Sequence, residues 1–210
     1  VPLSPGMRPE WRIGYWLLYL VARVLFGLKI EGRQFVPRTG GLILAPNHLS
    51  NMDAPLVGIG VGVRELHFLA KAGLFRGTKF FAWLISHFNA IPLKEGKTSV
   101  EALRRTIGLL KNGNAVVIFP EGTRSKTGVM LEPQVGLGYV AAKTGVSVLP
   151  VYLKGTNARL LDLILRRSRF VVRFAQPIDP VTISGKANRK DLYRKISEEV
   201  MRSIVMLAER

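Results

Sequence analysis

The chain has 210 residues, no cysteine, and 31 Lys plus Arg against 14 Asp plus Glu, a formal net charge of +17. The missing cysteines exclude disulfides and thiolate metal sites, and the charge points to anionic partners: nucleic acid, anionic lipid surfaces, or phosphorylated substrates. With 48% hydrophobic residues the chain is long enough to bury one substantial core.

Residues 1–10 hold three prolines and a glycine and read as a tail. From Ile13 to Leu28 the chain is apolar apart from Arg23, and as a helix this stretch reaches about 24 Å, short of a membrane span. Arg12, Trp16, Tyr19 and Arg23 recur at helical spacing as one polar and aromatic stripe, and the basic Lys29, Arg33 and Arg38 follow. Aromatic and arginine side chains of this kind favour the headgroup region of a bilayer, so the spacing predicts a monotopic membrane helix. Packing against the domain is the alternative. No small-residue cleavage site follows Leu28, and residues 29–32 read as mature protein rather than the end of a signal peptide. Residues 1–30 are thus read as tail and membrane-associated helix, and residues 31–210 as one domain.

The apolar run 42–45 predicts a buried strand that empties into a polar loop, Asn47-His48-Leu49-Ser50-Asn51-Met52-Asp53. Asp53 stands where an N-cap of the next helix is expected. His48 and Asp53 would lie about 140° apart on a continuous helix, but a bend between them lets imidazole and carboxylate face each other. A carboxylate on one ring nitrogen fixes the tautomer and leaves the other nitrogen to take a proton, so His48 is a candidate general base with Asp53 as its orienting partner. A loop histidine beside a capping aspartate is the plain alternative.

Further strands are expected over 67–70, 88–93, 115–119, 147–153 and 170–175, with helices over 73–86, 134–144 and from Asn188 onward. Thr98 and Glu101 have capping-box spacing before a helix with Val100, Leu103, Ile107 and Leu110 on one face, and Leu192, Ile196, Val200 and Ile204 mark the buried face of the last helix. Alternation of this kind predicts an α/β fold with a largely parallel central sheet flanked by helices.

Two more polar clusters follow predicted strands, where ligands bind in open α/β sheets. One is Lys71. The other is Phe119-Pro120-Glu121-Gly122-Thr123-Arg124-Ser125, in which Arg124 offers a planar fork to a phosphate and Gly122 admits close approach of backbone to a ligand. Pairing of Glu121 with Arg124 is the structural alternative. His67 and His87 are read as structural or solvated, and no group of side chains is spaced to hold a metal.

The ordered set NHLSNMD, LAKAGLF, AIPLK, FPEGTRS and VLPVYLKG resembles the glycerolipid acyltransferase family over about residues 30–180, specifically the bacterial 1-acyl-glycerol-3-phosphate acyltransferases. The resemblance implies transfer of a fatty acyl group from acyl carrier protein or a coenzyme A thioester to lysophosphatidic acid, with no cofactor beyond the acyl donor. It implies that His48 is the base and Asp53 its partner. It further implies that Glu121, Gly122, Thr123 and Arg124 belong to the acceptor site, with Lys71 as a supporting cation, and that the protein attaches to the cytoplasmic face of the cell membrane. The chain departs from the family where an arginine usually ends a strand-like run: here Ile91-Pro92-Leu93 leads to Lys94, which stands to supply that cation, with Lys97 as the alternative. Another lysophospholipid acceptor is the near alternative. A nucleic-acid-binding module is the distant one, and the run Arg166-Arg167-Ser168-Arg169 would suit it. That run also reads as a basic edge near lipid headgroups or as a docking face for an acidic acyl carrier.

Overall fold

The computed structural model describes residues 7–76, 78–93, 100–183 and 188–210. The strands are β1 (Lys29–Glu31), β2 (Leu42–Pro46), β3 (Leu66–Lys71), β4 (Ala90–Leu93), β5 (Ala115–Val117), β6 (Val148–Lys154) and β7 (Val171–Phe174). The helices are α1 (Pro9–Val24), α2 (Asp53–Val61), α3 (Lys79–His87), α4 (Val100–Lys111), α5 (Val135–Thr144), α6 (Leu160–Ile164) and α7 (Arg189–Ala208).

The strands form a single sheet in the order β1-β7-β6-β2-β5-β3-β4. Strands β6, β2, β5, β3 and β4 run parallel, whereas β7 opposes β6 and β1 follows β7. Successive residues of β2 serve opposite faces, as pleating requires. Leu42 and Leu44 pack with Tyr15 and Ala22 of α1, Leu56 of α2 and Leu163 of α6. Ile43 and Ala45 pack with Leu110 of α4, Leu137 of α5 and Ile196 of α7. Burial on both faces explains why the central strands are uninterrupted apolar runs. The largely parallel α/β architecture is as expected, and Ile196, Val200 and Ile204 are buried as their spacing predicts. Close approach of α5 to α7 depends on Gly138, because a Cβ there would meet the backbone of Tyr193.

Several boundaries differ from expectation. Over 73–86 the chain forms a short 3-10 turn, Ala72–Arg76, before α3 begins at Lys79; Gly73 is a poor helix former. β1 and α6 were not expected, since three and five residues are too few to show a period. Thr98 of the expected capping box lies outside the described residues.

The N-terminal helix satisfies part of each reading. Trp11, Tyr15 and Ala22 are buried, Trp11 meets Phe88 edge-on at 5.0 Å, and the Tyr15 ring lies against Gly62 at the end of α2. Arg8 fixes the start of the helix through paired hydrogen bonds to Glu65 and one to Asn89 at 2.9 Å. The outward face keeps Ile13, Leu17, Leu20 and Val24 exposed, Ile13 at 70%. Among the described residues no helix is long and apolar enough to cross a membrane.

Candidate active site

The loop after β2 and the loop after β5 leave neighbouring strands toward opposite faces, since α2 packs on one side of the sheet and α5 on the other. Divergence of this kind opens a crevice at the carboxyl ends of the strands, the usual ligand position in such sheets. His48 lies on the first of these loops and Glu121 on the second.

Asn47 follows the last residue of β2 and carries its pairing one step further. Its side-chain Nδ2 donates to the Leu153 carbonyl at 3.1 Å, and its Oδ1 accepts from the Leu153 N–H at 2.7 Å. A carboxamide presents one donor and one acceptor, as a peptide unit does, so it extends the ladder to β6 while the backbone turns away. The role of Asn47 was not expected; the available signal was an amide just beyond a predicted buried strand.

His48 Nδ1 lies 2.7 Å from Asp53 Oδ2. The same oxygen accepts the backbone N–H groups of Leu49 at 2.6 Å and Ser50 at 2.8 Å. Three donors converge on one fully buried carboxylate oxygen, while Oδ1 has no hydrogen-bond partner among the described residues. An ionised carboxylate only accepts, so the proton of the shared bond sits on Nδ1 and Nε2 carries the free lone pair. Asp53 is the first residue of α2, and its N-cap is Met52. The expected capping role is therefore corrected: the carboxylate reaches back into the loop, drawn by two backbone N–H groups and the imidazole, rather than forward onto the helix. The His48 ring stacks on Phe119 with centroids 3.7 Å apart, so the apolar ring of Phe119 covers one face of the imidazole.

Glu121 is buried, and both its oxygens are engaged. Oε1 accepts the His48 backbone N–H at 2.7 Å, and Oε2 accepts the Leu131 N–H at 2.8 Å. The His48 carbonyl accepts from the Ser125 N–H at 2.8 Å, closing a second tie between the loops. Glu121 thus braces the backbone that carries the His48 ring, and among the described residues it forms no ion pair with Arg124. Gly122 turns the loop at φ +67°, a left-handed conformation that favours glycine. Gly122, Thr123 and Arg124 are exposed at the crevice, and among the described residues Arg124 has no ion-pair partner. Lys71 ends β3 on the same edge of the sheet, and Lys94 lies outside the described residues. His67, paired in register with Val116, stands at the other end of its strand; burial pushes its pKa below the ordinary 6.5.

The geometry provides an imidazole with a fixed tautomer, an apolar wall, and a guanidinium one residue before the Ser125 tie that has no ion-pair partner among the described residues. That combination can remove a proton from a hydroxyl whose carrier bears a phosphate.

The family model Acyltransferase matches residues 27–154. A chloroplastic 1-acyl-sn-glycerol-3-phosphate acyltransferase of Arabidopsis thaliana is 36% identical over 136 residues, covering 63% of this chain and 37% of that protein. The 1-acyl-sn-glycerol-3-phosphate acyltransferase of Borreliella burgdorferi is 27% identical over 94% of this chain and 77% of its own length. The crystal structure of the 1-acyl-sn-glycerophosphate acyltransferase PlsC from Thermotoga maritima superposes with a TM-score of 0.71 at 30% identity, covering 96% of this chain and 79% of that one.

Proposed function

The chain belongs to the acyltransferase family, and from that premise we propose that it acylates the free hydroxyl of 1-acyl-glycerol-3-phosphate to give phosphatidic acid. The observation that carries this reading is the His48–Asp53 pair at the crevice, with Arg124, exposed and without an ion-pair partner among the described residues, on the loop tied to it. The names of the relatives in Arabidopsis, Borreliella and Thermotoga support the acceptor.

In the proposed step His48 Nε2 takes the proton of the acceptor hydroxyl as its oxygen bonds to the thioester carbonyl carbon. The C–S bond then breaks, and the imidazolium returns the proton to the departing thiolate, leaving His48 neutral. Asp53 keeps the tautomer and stabilises the imidazolium between the two transfers. Arg124 holds the acceptor phosphate with a two-pronged contact, aided by Lys71 and Lys94, while Gly122 and Thr123 shape the loop against it. The acyl donor is a thioester of acyl carrier protein or coenzyme A, and the step draws on no further cofactor.

The exposed apolar face of α1 suits a helix lying in one leaflet, with the excess of basic residues turned to anionic lipid. We place the enzyme on the cytoplasmic face of the cell membrane, where residues 1–30 supply the attachment and residues 31–210 the catalytic domain. An assay crossing both thioester donors with lysophosphatidate, glycerol-3-phosphate and lysophosphatidylglycerol tests the reading. Preference for lysophosphatidate supports it; preference for either other acceptor replaces it.

A further inference from the structure

Helix α6 turns an apolar face outward at the same edge of the sheet as His48. Leu160 and Leu161 are each 62% exposed, and Ile164 and Leu165 are also exposed, whereas Leu163 on the opposite side is buried in the core. The segment leaves β6 just beyond Leu153, which pairs with Asn47 beside the base. Within 154–170 stand five basic side chains and one acid, Asp162. Arg159, Arg166, Arg167 and Arg169 are all exposed around the apolar face.

This patch is joined to the end of α1. Arg166 Nη2 donates to the Val24 carbonyl at 3.1 Å. The Phe170 N–H donates to the Phe26 carbonyl at 3.2 Å, and the Lys29 N–H to the Phe170 carbonyl at 2.8 Å. The Phe26 and Phe170 rings lie 5.2 Å apart. The outward face of α1, ending at Leu25, therefore continues into α6. Arg166 has φ +56° just after the helix, a left-handed conformation that favours glycine. A charged side chain occupies the position where glycine would be unstrained.

From these observations we propose that α6 is a second lipid-inserting element. Leu160, Leu161, Ile164 and Leu165 enter the acyl region of an anionic bilayer, and the arginine collar binds its headgroups. An acidic protein partner would be recognised by the arginines alone, but four large exposed apolar side chains enclosed by cations match the layered chemistry of a lipid surface. Insertion at this edge sets the mouth of the His48 crevice at the level from which a lysolipid acceptor enters. The inference rests on the proposed action at a lipid surface and adds a separate point of contact to it.

The chain has no cysteine, so single cysteines introduced by Leu161→Cys, Leu17→Cys and Met206→Cys can each carry an environment-sensitive fluorophore. Met206 is exposed on α7, across the sheet. With vesicles of phosphatidylglycerol and phosphatidylcholine, the labels at 161 and 17 brighten and shift to the blue while that at 206 stays unchanged. The unlabelled Leu161→Ser/Ile164→Ser variant loses about tenfold or more of its vesicle partitioning, with an unchanged thermal midpoint because both side chains are exposed. A response at 17 with none at 161 overturns the role of α6 and leaves α1 attachment standing. No response at either overturns the lipid-surface reading itself. Equal responses at all three sites, a response at 161 to acyl carrier protein in place of vesicles, or full partitioning of the serine variant each overturn the inference.

Discussion

The Glu121 carboxylate accepts the His48 backbone N–H at 2.7 Å, and its other oxygen accepts the Leu131 N–H at 2.8 Å. The buried Glu121 side chain thereby ties the loop after β2 to the loop after β5 and holds the backbone that carries the imidazole. Replacing Glu121 with Gln puts an NH₂ group against one of these N–H donors and removes the charge from both bonds. Since a hydrogen bond to a charged group contributes about 1.5–3 kcal/mol, Glu121→Gln is expected to lower stability by roughly that amount. It is also expected to lower kcat, with little change in KM for lysophosphatidate. Denaturant unfolding and steady-state kinetics check this; a change confined to KM would mark Glu121 as an acceptor-site residue instead.

Arg124 is exposed and without an ion-pair partner among the described residues, so its loss leaves no buried acid behind. Arg124→Lys keeps the charge but not the fork. The expected result is an unchanged thermal midpoint and a KM for lysophosphatidate raised about tenfold to a hundredfold, the equivalent of losing one charge-assisted contact. A phosphate-free lysolipid serves as the comparison acceptor. Equal loss on both acceptors would remove Arg124 from phosphate recognition.

Much of the site could be read from the chain because its residues fall at strand ends. Leu42–Ala45 is apolar on both faces and stops at Pro46, so His48 had to lie on a loop at the sheet edge. The direction of the Asp53 carboxylate could not be read that way. A helix-starting aspartate has backbone N–H groups both ahead of it and behind it, and only the tight turn through Leu49 and Ser50 decides which it meets. The hold on Glu121 could not be read for a related reason: sequence shows a carboxylate beside an arginine but not the two backbone N–H groups that occupy it. The short β1 was hidden because its three residues pair across the sheet with β7, a contact far away in the chain. The outward face of α6 was hidden because a run of leucines looks the same whether it faces core or solvent.

Acid should loosen the docking of α1 in a second stage, after an earlier loss at the sheet. Burial pushes the Glu65 carboxyl up, but the Arg8 side chain and backbone N–H, with Asn89, outweigh it and hold the group below its ordinary value of 4.5. A carboxylate with a depressed folded pKa contributes stability that is complete above the unfolded value and is lost as pH falls through the folded one. The window for Glu65 therefore opens below about pH 4.5. His67, also depressed, loses its contribution earlier, as pH falls from 6.5 through its lower folded value. Urea midpoints between pH 7 and pH 3 should fall in two stages, and Glu65→Gln should flatten the lower one. An unchanged lower stage in that variant would mean that the Arg8–Glu65 contact does not stabilise the docked helix.

The central claim is that His48 Nε2, with its tautomer set by Asp53, removes the proton from the acceptor hydroxyl. Turnover of a fatty acyl thioester with lysophosphatidate by His48→Ala, measured beside the unaltered protein at neutral pH, tests it most directly. The account predicts turnover lower by about 10²–10⁴-fold with the thermal midpoint retained, the scale set by loss of a general base. Undiminished turnover in a folded His48→Ala protein would contradict it.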